Sequence, residues 1–148
     1  SRYKELTYWS EDETVAGTKN MPRTPNCYGY FTFTANPFKN FDFSLSGVYT
    51  GRMHVPHFAP TDEIPADFPY TYIQKDELVH TPDFFDFNVK LNYNFVLNEH
   101  LKLQVNGGVQ NIFNAFQKDL DKGTYRDSGY FYGPTQPRTY FIGIKLFN

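Results

Sequence analysis

The sequence has 148 residues, enough for one domain, and a formal net charge of −2 with 20% charged residues. That balance gives no strong electrostatic pull toward nucleic acid or anionic lipid, so no nucleic-acid partner is expected. Aromatic residues reach 20%, with 16 Phe and 12 Tyr against one Trp, and the lone Cys27 excludes an intrachain disulfide.

In chain order, residues 1–23 are rich in Glu, Asp and Thr and read as a loop. Five strands are then predicted from two-residue alternation, because successive side chains on a strand point to opposite faces. Over 24–36, Cys27, Gly29, Phe31, Phe33 and Ala35 alternate with Tyr28, Tyr30, Thr32 and Thr34. Over 40–54, Phe41, Phe43, Leu45, Gly47, Tyr49, Gly51 and Met53 alternate with Asp42, Ser44, Ser46, Val48, Thr50, Arg52 and His54. The clearest run is 83–97, where Phe85, Phe87, Val89, Leu91, Tyr93, Phe95 and Leu97 face one way and Asp86, Asn88, Lys90, Asn92 and Asn94 the other. The strands at 100–113 and 137–147 follow the same rule. All five exceed the usual globular strand of about five or six residues, and each is long enough for the roughly nine to eleven residues that cross a bilayer at a tilt.

The connections are lopsided. Asn36-Pro37-Phe38-Lys39-Asn40 and Asn98-Glu99-His100 read as tight turns, whereas 55–82 and 114–136 are long loops. Short and long connections therefore alternate. In an all-β, antiparallel up-and-down meander of about five long strands this places every tight turn at one end and every long loop at the other. Transmembrane β-barrels are arranged this way, with short periplasmic turns and long extracellular loops. The final strand would then run inward, giving a periplasmic C-terminus in the outer membrane of a Gram-negative cell. A soluble antiparallel sheet also alternates, burying its apolar face beneath a second layer, so a soluble ligand-binding module of carbohydrate type stays open. So does a structural domain without a ligand.

Several runs resemble the C-terminal part of TonB-dependent outer-membrane receptors. Val109-Gln110-Asn111-Ile112-Phe113-Asn114 is similar to the family's close of the penultimate strand. Gly129-Tyr130-Phe131-Tyr132-Gly133-Pro134 followed by Pro137-Arg138-Thr139-Tyr140-Phe141 resembles the approach to the last strand. Gly143 and Phe147 resemble the terminal signal read by the outer-membrane assembly machinery, although Asn148 follows the aromatic. Tyr28-Gly29-Tyr30-Phe31 and Tyr49-Thr50-Gly51-Arg52-Met53 are similar to upstream strands of some members. The resemblance implies that 1–148 is the C-terminal segment of a larger barrel of twenty-two strands filled by an N-terminal plug. A TonB box ahead of the plug would couple it to the inner membrane, and neither plug nor box lies in this sequence. It further implies active uptake of a scarce nutrient, such as a ferric siderophore, haem, cobalamin or a glycan, met at the outer loops. The implied partners are outer-membrane lipid, the rest of the barrel and plug, and the TonB system. The opening Ser1-Arg2-Tyr3 is mid-pattern and carries no signal peptide, consistent with that larger parent. Five strands alone would leave open edges, so the isolated chain is expected to self-associate.

Candidate sites are few. His54 and His57, with His80 at the far end of the same loop, could ligate a metal or haem, although solvated loop histidines are the preferred reading. Asp119-Leu120-Asp121-Lys122-Gly123 resembles the start of a calcium loop. Tyr130 stands where the closing acidic ligand belongs, so a polar turn is preferred, with Asp119, Asp121 and Asp127 solvated or paired with Arg126. Tyr130, Phe131 and Tyr132 are expected in an interfacial girdle. No nucleophile–base set and no phosphate-cradling glycine loop appears, so neither an enzyme nor a resident cofactor is expected.

Overall fold

The computed structural model describes residues 1–147. Among them there is no helix. The strands are β1 (Arg2–Thr7), β2 (Thr18–Asn20), β3 (Tyr28–Phe38), β4 (Phe41–Thr50), β5 (His54–His57), β6 (Glu77–His80), β7 (Phe84–Asn98), β8 (Leu101–Gln110) and β9 (Thr139–Phe147). The chain divides into two compact units. A sheet unit comprises Tyr28–Thr50, Phe84–Phe116 and Pro134–Asn148; a loop unit comprises Ser1–Cys27, Gly51–Asp83 and Gln117–Gly133.

The sheet unit is one five-stranded sheet in the order β3-β4-β7-β8-β9, with every neighbouring pair antiparallel. It is an open sheet: β3 and β9 each pair on one side only. The five expected strands are all present, with the first starting four residues later and the second ending four residues earlier than the alternation suggests. Antiparallel order places the two tight turns at one end of the sheet. The β3–β4 turn is Lys39-Asn40, with Asn40 at φ 67° in the left-handed region that asparagine tolerates. The β7–β8 turn is Glu99-His100, where the His100 N–H donates to Asn98 Oδ1 at 2.9 Å. Bulges fall just before both turns, between Ala35 and Phe38 and between Val96 and Asn98. They take up the extra residue that Pro37 introduces in the first case and tighten the strand end in the second.

Register builds one apolar face across all five strands. Phe33 pairs with Leu45, Leu45 with Val89, Val89 with Val109, and Val109 with Tyr140. A row nearer the turns runs Phe43–Leu91–Gly107–Ile142. The opposite face carries Thr32, Ser46, Asn88, Asn92, Asn106 and Gly143. The apolar face is not buried as the core side of a soluble sheet would be. Leu91 is 41% exposed and Ile142 81%, while Asp86, Asn88, Asn92 and Asn94 on the other face are half-buried. The buried apolar side chains among the described residues are Val55, Pro56, Phe84, Tyr130 and Tyr132, and of these Phe84 alone belongs to the sheet unit. The sheet is thus held by its backbone ladder and cross-strand pairs rather than by a core.

The loop unit adds short strands to 1–23 and 55–82, which the sequence reads as long loops. β1 and β2 pair antiparallel, Arg2 with Asn20 and Thr7 with Thr18, and β5 pairs with β6 from His54–His80 to His57–Glu77. These strands escape periodicity because they are short and their apolar residues do not alternate: β5 is His-Val-Pro-His and β6 Glu-Leu-Val-His. The last long connection contains no helix.

Two glycines probe the sheet. A Cβ at Gly108 would strike the Val89 carbonyl oxygen and the Phe141 ring, whereas one at Gly29 meets nothing within 4 Å. Gly108→Ala is expected to cost about 1–3 kcal/mol through overpacking, and Gly29→Ala to stay within about 0.5 kcal/mol. Urea-unfolding midpoints of the two variants check this.

Candidate functional site

The first candidate surface is the uncovered apolar face, where aromatic rings gather in two bands. At the strand ends that feed the long connections, Phe31, Phe85, Phe87 and Phe113 form a ladder. Phe31 and Phe87 lie 6.0 Å apart, Phe85 and Phe87 5.9 Å, and Phe87 and Phe113 5.9 Å. At the tight-turn end Tyr93 meets Phe95 at 4.6 Å with planes tilted by 58°, and Phe38 meets Phe41 at 6.3 Å with planes tilted by 49°. Between the bands Leu45, Val89, Val109, Leu91 and Ile142 lie beside Phe33, Phe43 and Tyr140, while Val105 and Ile144 are in register with Tyr93. The run from Phe85 to Phe95 is about 34 Å along a strand, or about 24 Å across a layer if the strand tilts by about 45°.

The Asn111-Ile112-Phe113-Asn114 run is a structural clamp within the sheet unit. Asn111 is 3% exposed and takes a left-handed φ of 49°. Its N–H donates to Asn88 Oδ1 at 2.9 Å, and its Nδ2 donates to the carbonyls of Ala115 at 3.0 Å and Gln136 at 2.8 Å. Its Oδ1 accepts from the Ala115 N–H at 2.8 Å. Asn114 Oδ1 accepts from the Arg138 N–H at 2.9 Å. Asn111 thus ties the end of β8 to β7 through its backbone and to the approach to β9 through its side chain, and an aliphatic residue there would leave the Ala115 N–H and the Ala115 and Gln136 carbonyls without that partner. Gly143 lies opposite Asn106 on β9, where a Cβ would press on the Asn106 amide at 2.9 Å. Phe147 pairs with Lys102, and Lys145 Nζ sits 5.4 Å from its ring centre.

The second candidate is the polar cluster of the loop unit. The ring of His57, 6% exposed, stacks on Tyr130 with centres 3.8 Å apart and planes 10° from parallel. Its Nε2 lies 2.9 Å from Asp121 Oδ2, and its Nδ1 lies 3.5 Å from Glu77 Oε1. Asp119 accepts from the Tyr130 hydroxyl at 2.6 Å and from the Tyr132 hydroxyl at 2.5 Å. Gln117 accepts from the Tyr132 N–H at 3.0 Å and donates to the Tyr130 carbonyl at 3.3 Å. Asp127 accepts from the Phe58 N–H at 2.9 Å and the Gly129 N–H at 2.7 Å.

This geometry changes several expectations. Tyr130 and Tyr132 are not girdle residues: they are 2% and 5% exposed, because their hydroxyls need the Asp119 carboxylate. The acidic side chains of this loop find their hydrogen-bond donors in tyrosine hydroxyls, a histidine ring and backbone N–H groups. His54 faces His80 across the hairpin, ring centres 4.8 Å apart, and is thereby separated from His57. Burial, and then the neighbouring His80, lower its pKa below the ordinary 6.5. The structure brings His57 to Asp121, but no group of three or more His, Cys, Asp or Glu suited to a metal ion occurs among the described residues. Glu77 and Gln117 were not singled out by sequence, since neither lies in a periodic or motif-like setting.

Comparison with protein-family models, with curated proteins and with solved structures finds no match.

The Asp119 network is a pH-sensitive contributor to stability. Burial acts to raise the Asp119 pKa, but the hydroxyls of Tyr130 and Tyr132 outweigh it and bring the net below 3.8. Burial and the Asp119 carboxylate push Tyr132 up to about 12 and Tyr130 higher still. A depressed carboxylate stabilises the fold above its unfolded value and loses that contribution as pH falls through its folded value. The raised tyrosines stabilise fully below pH 10 and lose their contribution as pH rises toward about 12. Asp119→Ala should leave two buried hydroxyls without an acceptor and cost about 2 kcal/mol. In phenolate absorbance titrations two late-ionising tyrosines should move toward 10 in that variant.

Proposed function

We propose that this chain forms the last strands of a TonB-dependent outer-membrane receptor barrel that imports a scarce nutrient. The observation that carries the reading is the uncovered apolar face of the five-stranded sheet, with aromatic rings gathered toward both ends of its strands. A membrane barrel needs an outward apolar band about 25 Å tall flanked by aromatic girdles, and the projected run from Phe85 to Phe95 fits that height. A soluble module would cover these rings with a second layer, and the sheet unit has none. Five strands cannot close a transmembrane barrel, whose smallest members have about eight. In this proposal further strands join at β3, and the free edge of β9 meets the first strand of the barrel. The face with Asn88, Asn92 and Asn94 then looks into the lumen. There the buried, unpartnered Oδ1 atoms of Asp86 and Asn92 await water or the polar groups of a plug. Gly143 and Phe147 serve as the assembly signal, the C-terminus lies in the periplasm, and coupling to TonB runs through a plug and box outside this sequence.

In membranes, a spin label at Leu91 should be relaxed by a lipid-soluble quencher while one at Asn92 is not. Equal relaxation at both positions, or at neither, would sink the assignment. Leu91→Arg should cost about 2–4 kcal/mol because the charge enters hydrocarbon, and Asn92→Arg far less. Without detergent the isolated chain should associate through its open edges and bare face. Light scattering showing a stable monomer would count against the reading.

A further inference from the structure

We propose that a cavity of about 710 Å3 in the loop unit binds a small organic cation, an ammonium group carried on an apolar body. Tyr8, Trp9 and Phe58 line it together with Glu11, Asp12 and Asp76, and no lysine or arginine is among its lining residues. Its volume lies in the range of small-ligand sites, about 300–1,000 Å3. Trp9 and Phe58 meet at 6.0 Å with planes tilted by 51°, so they present one shared apolar wall rather than a closed slot.

Asp76 makes the site a built one. Its Oδ1 accepts from the Ala59 N–H at 2.9 Å, and its Oδ2 accepts from the Ser10 hydroxyl. Ser10 Oγ in turn accepts from the Asp12 N–H at 2.9 Å. One carboxylate therefore holds both rims, residues 8–12 and 58–61, and keeps its own charge at their junction. Asp12 is engaged by Thr14, through its N–H at 2.8 Å and its hydroxyl at 2.7 Å. The ammonium of Lys75, which acts on Asp12 electrostatically, donates to the Thr14 carbonyl at 3.0 Å. Glu11 has no hydrogen-bond partner among the described residues and is free to face a ligand.

Charge and ring chemistry select the same ligand. The faces of aromatic rings carry negative potential and attract a cation within about 6 Å. The three carboxylates add to that field and would repel a phosphate or carboxylate ligand. The surrounding segment deepens the bias: residues 51–83 hold Asp62, Glu63, Asp67, Asp76, Glu77 and Asp83 against Arg52 and Lys75. A neutral ligand of the same shape gains the apolar contact but not the charge attraction.

Trp9 is the sole tryptophan of the chain, so its emission reports on this cavity directly. The full chain, held in a non-ionic polyoxyethylene detergent, is titrated with choline and with benzyltrimethylammonium. The comparison ligands are the neutral choline isostere 3,3-dimethyl-1-butanol, maltose and citrate. The expected result is a saturable change in Trp9 emission with the quaternary ammonium probes, at least about tenfold tighter than with the isostere. Glu11→Gln should weaken it by about three- to tenfold without altering the melting temperature. Equal affinity for choline and its isostere, tighter binding of maltose or citrate, indifference to Glu11→Gln, or no saturable change with any probe would each overturn the proposal. All the lining residues belong to the loop unit, so this titration and the lipid-label experiment succeed or fail independently.

Discussion

A sheet that is apolar on one side, polar on the other and bare on its apolar side governs everything else in this molecule. In water such a face must be covered, because exposed contiguous apolar surface invites association. No layer in the sheet unit covers it, and no helix occurs among the described residues to do so. Cohesion instead comes from backbone ladders and from cross-strand pairs such as Phe43–Leu91 and Val105–Ile144. β4, β7 and β8 each have a hydrogen-bonded neighbour on both sides, and pairing backbone groups within the sheet is what hydrocarbon demands of a spanning strand. The same ladders leave β3 and β9 as open edges, each paired on one side only.

Where the chain leaves the strands the stabilising currency changes. The loop unit buries Val55, Tyr130 and Tyr132 but also His57, Thr81 and Gln117. These groups are tied by charge-assisted bonds: His57 to Asp121, and two tyrosine hydroxyls to Asp119. Such a network is costly if half satisfied and specific when complete. It can therefore order a Pro-rich unit that buries few apolar side chains. Asn111 plays the same part for the sheet, where one amide replaces what a longer turn would otherwise need.

The strands were legible because their period is two over many residues: Phe85 to Leu97 admits no other reading. The ends were less so, since Thr50 and Gln110 stop pairing for reasons set by their neighbours and not by their own side chains. β1, β2, β5 and β6 were invisible, being too short for a period to register. The site residues fared worse. His57 stood out only as a histidine in a loop, and nothing in the spacing links it to Asp121 or Tyr130, since the links exist only once the chain is folded. The tyrosine-rich run 130–132 looked like a girdle because composition cannot tell an aromatic at a membrane surface from one whose hydroxyl is caught by a carboxylate. The Asn111–Asn114 run was noticed by resemblance, and its physical meaning, a left-handed strand end closed by one amide, came only with the hydrogen bonds.

Loops that recognise a ligand face opposing demands: they must present varied side chains, yet hold them still, since each rotamer frozen on binding costs affinity. The loop unit meets both demands by separating the tasks. Carboxylates that order the backbone are spent on N–H and hydroxyl donors, as Asp127 is on Phe58 and Gly129, and Asp12 is on Thr14. Carboxylates left at a rim, Glu11 above all, stay free. Asp76 stands between the two classes, joining Ser10 to Ala59 while facing the cavity those segments enclose. A charge fixed by two donors needs no rearrangement to meet a ligand, so the field inside that cavity is organised before anything enters it. Changing the rim residues would then alter what the loops recognise and leave untouched the ladder that holds the sheet.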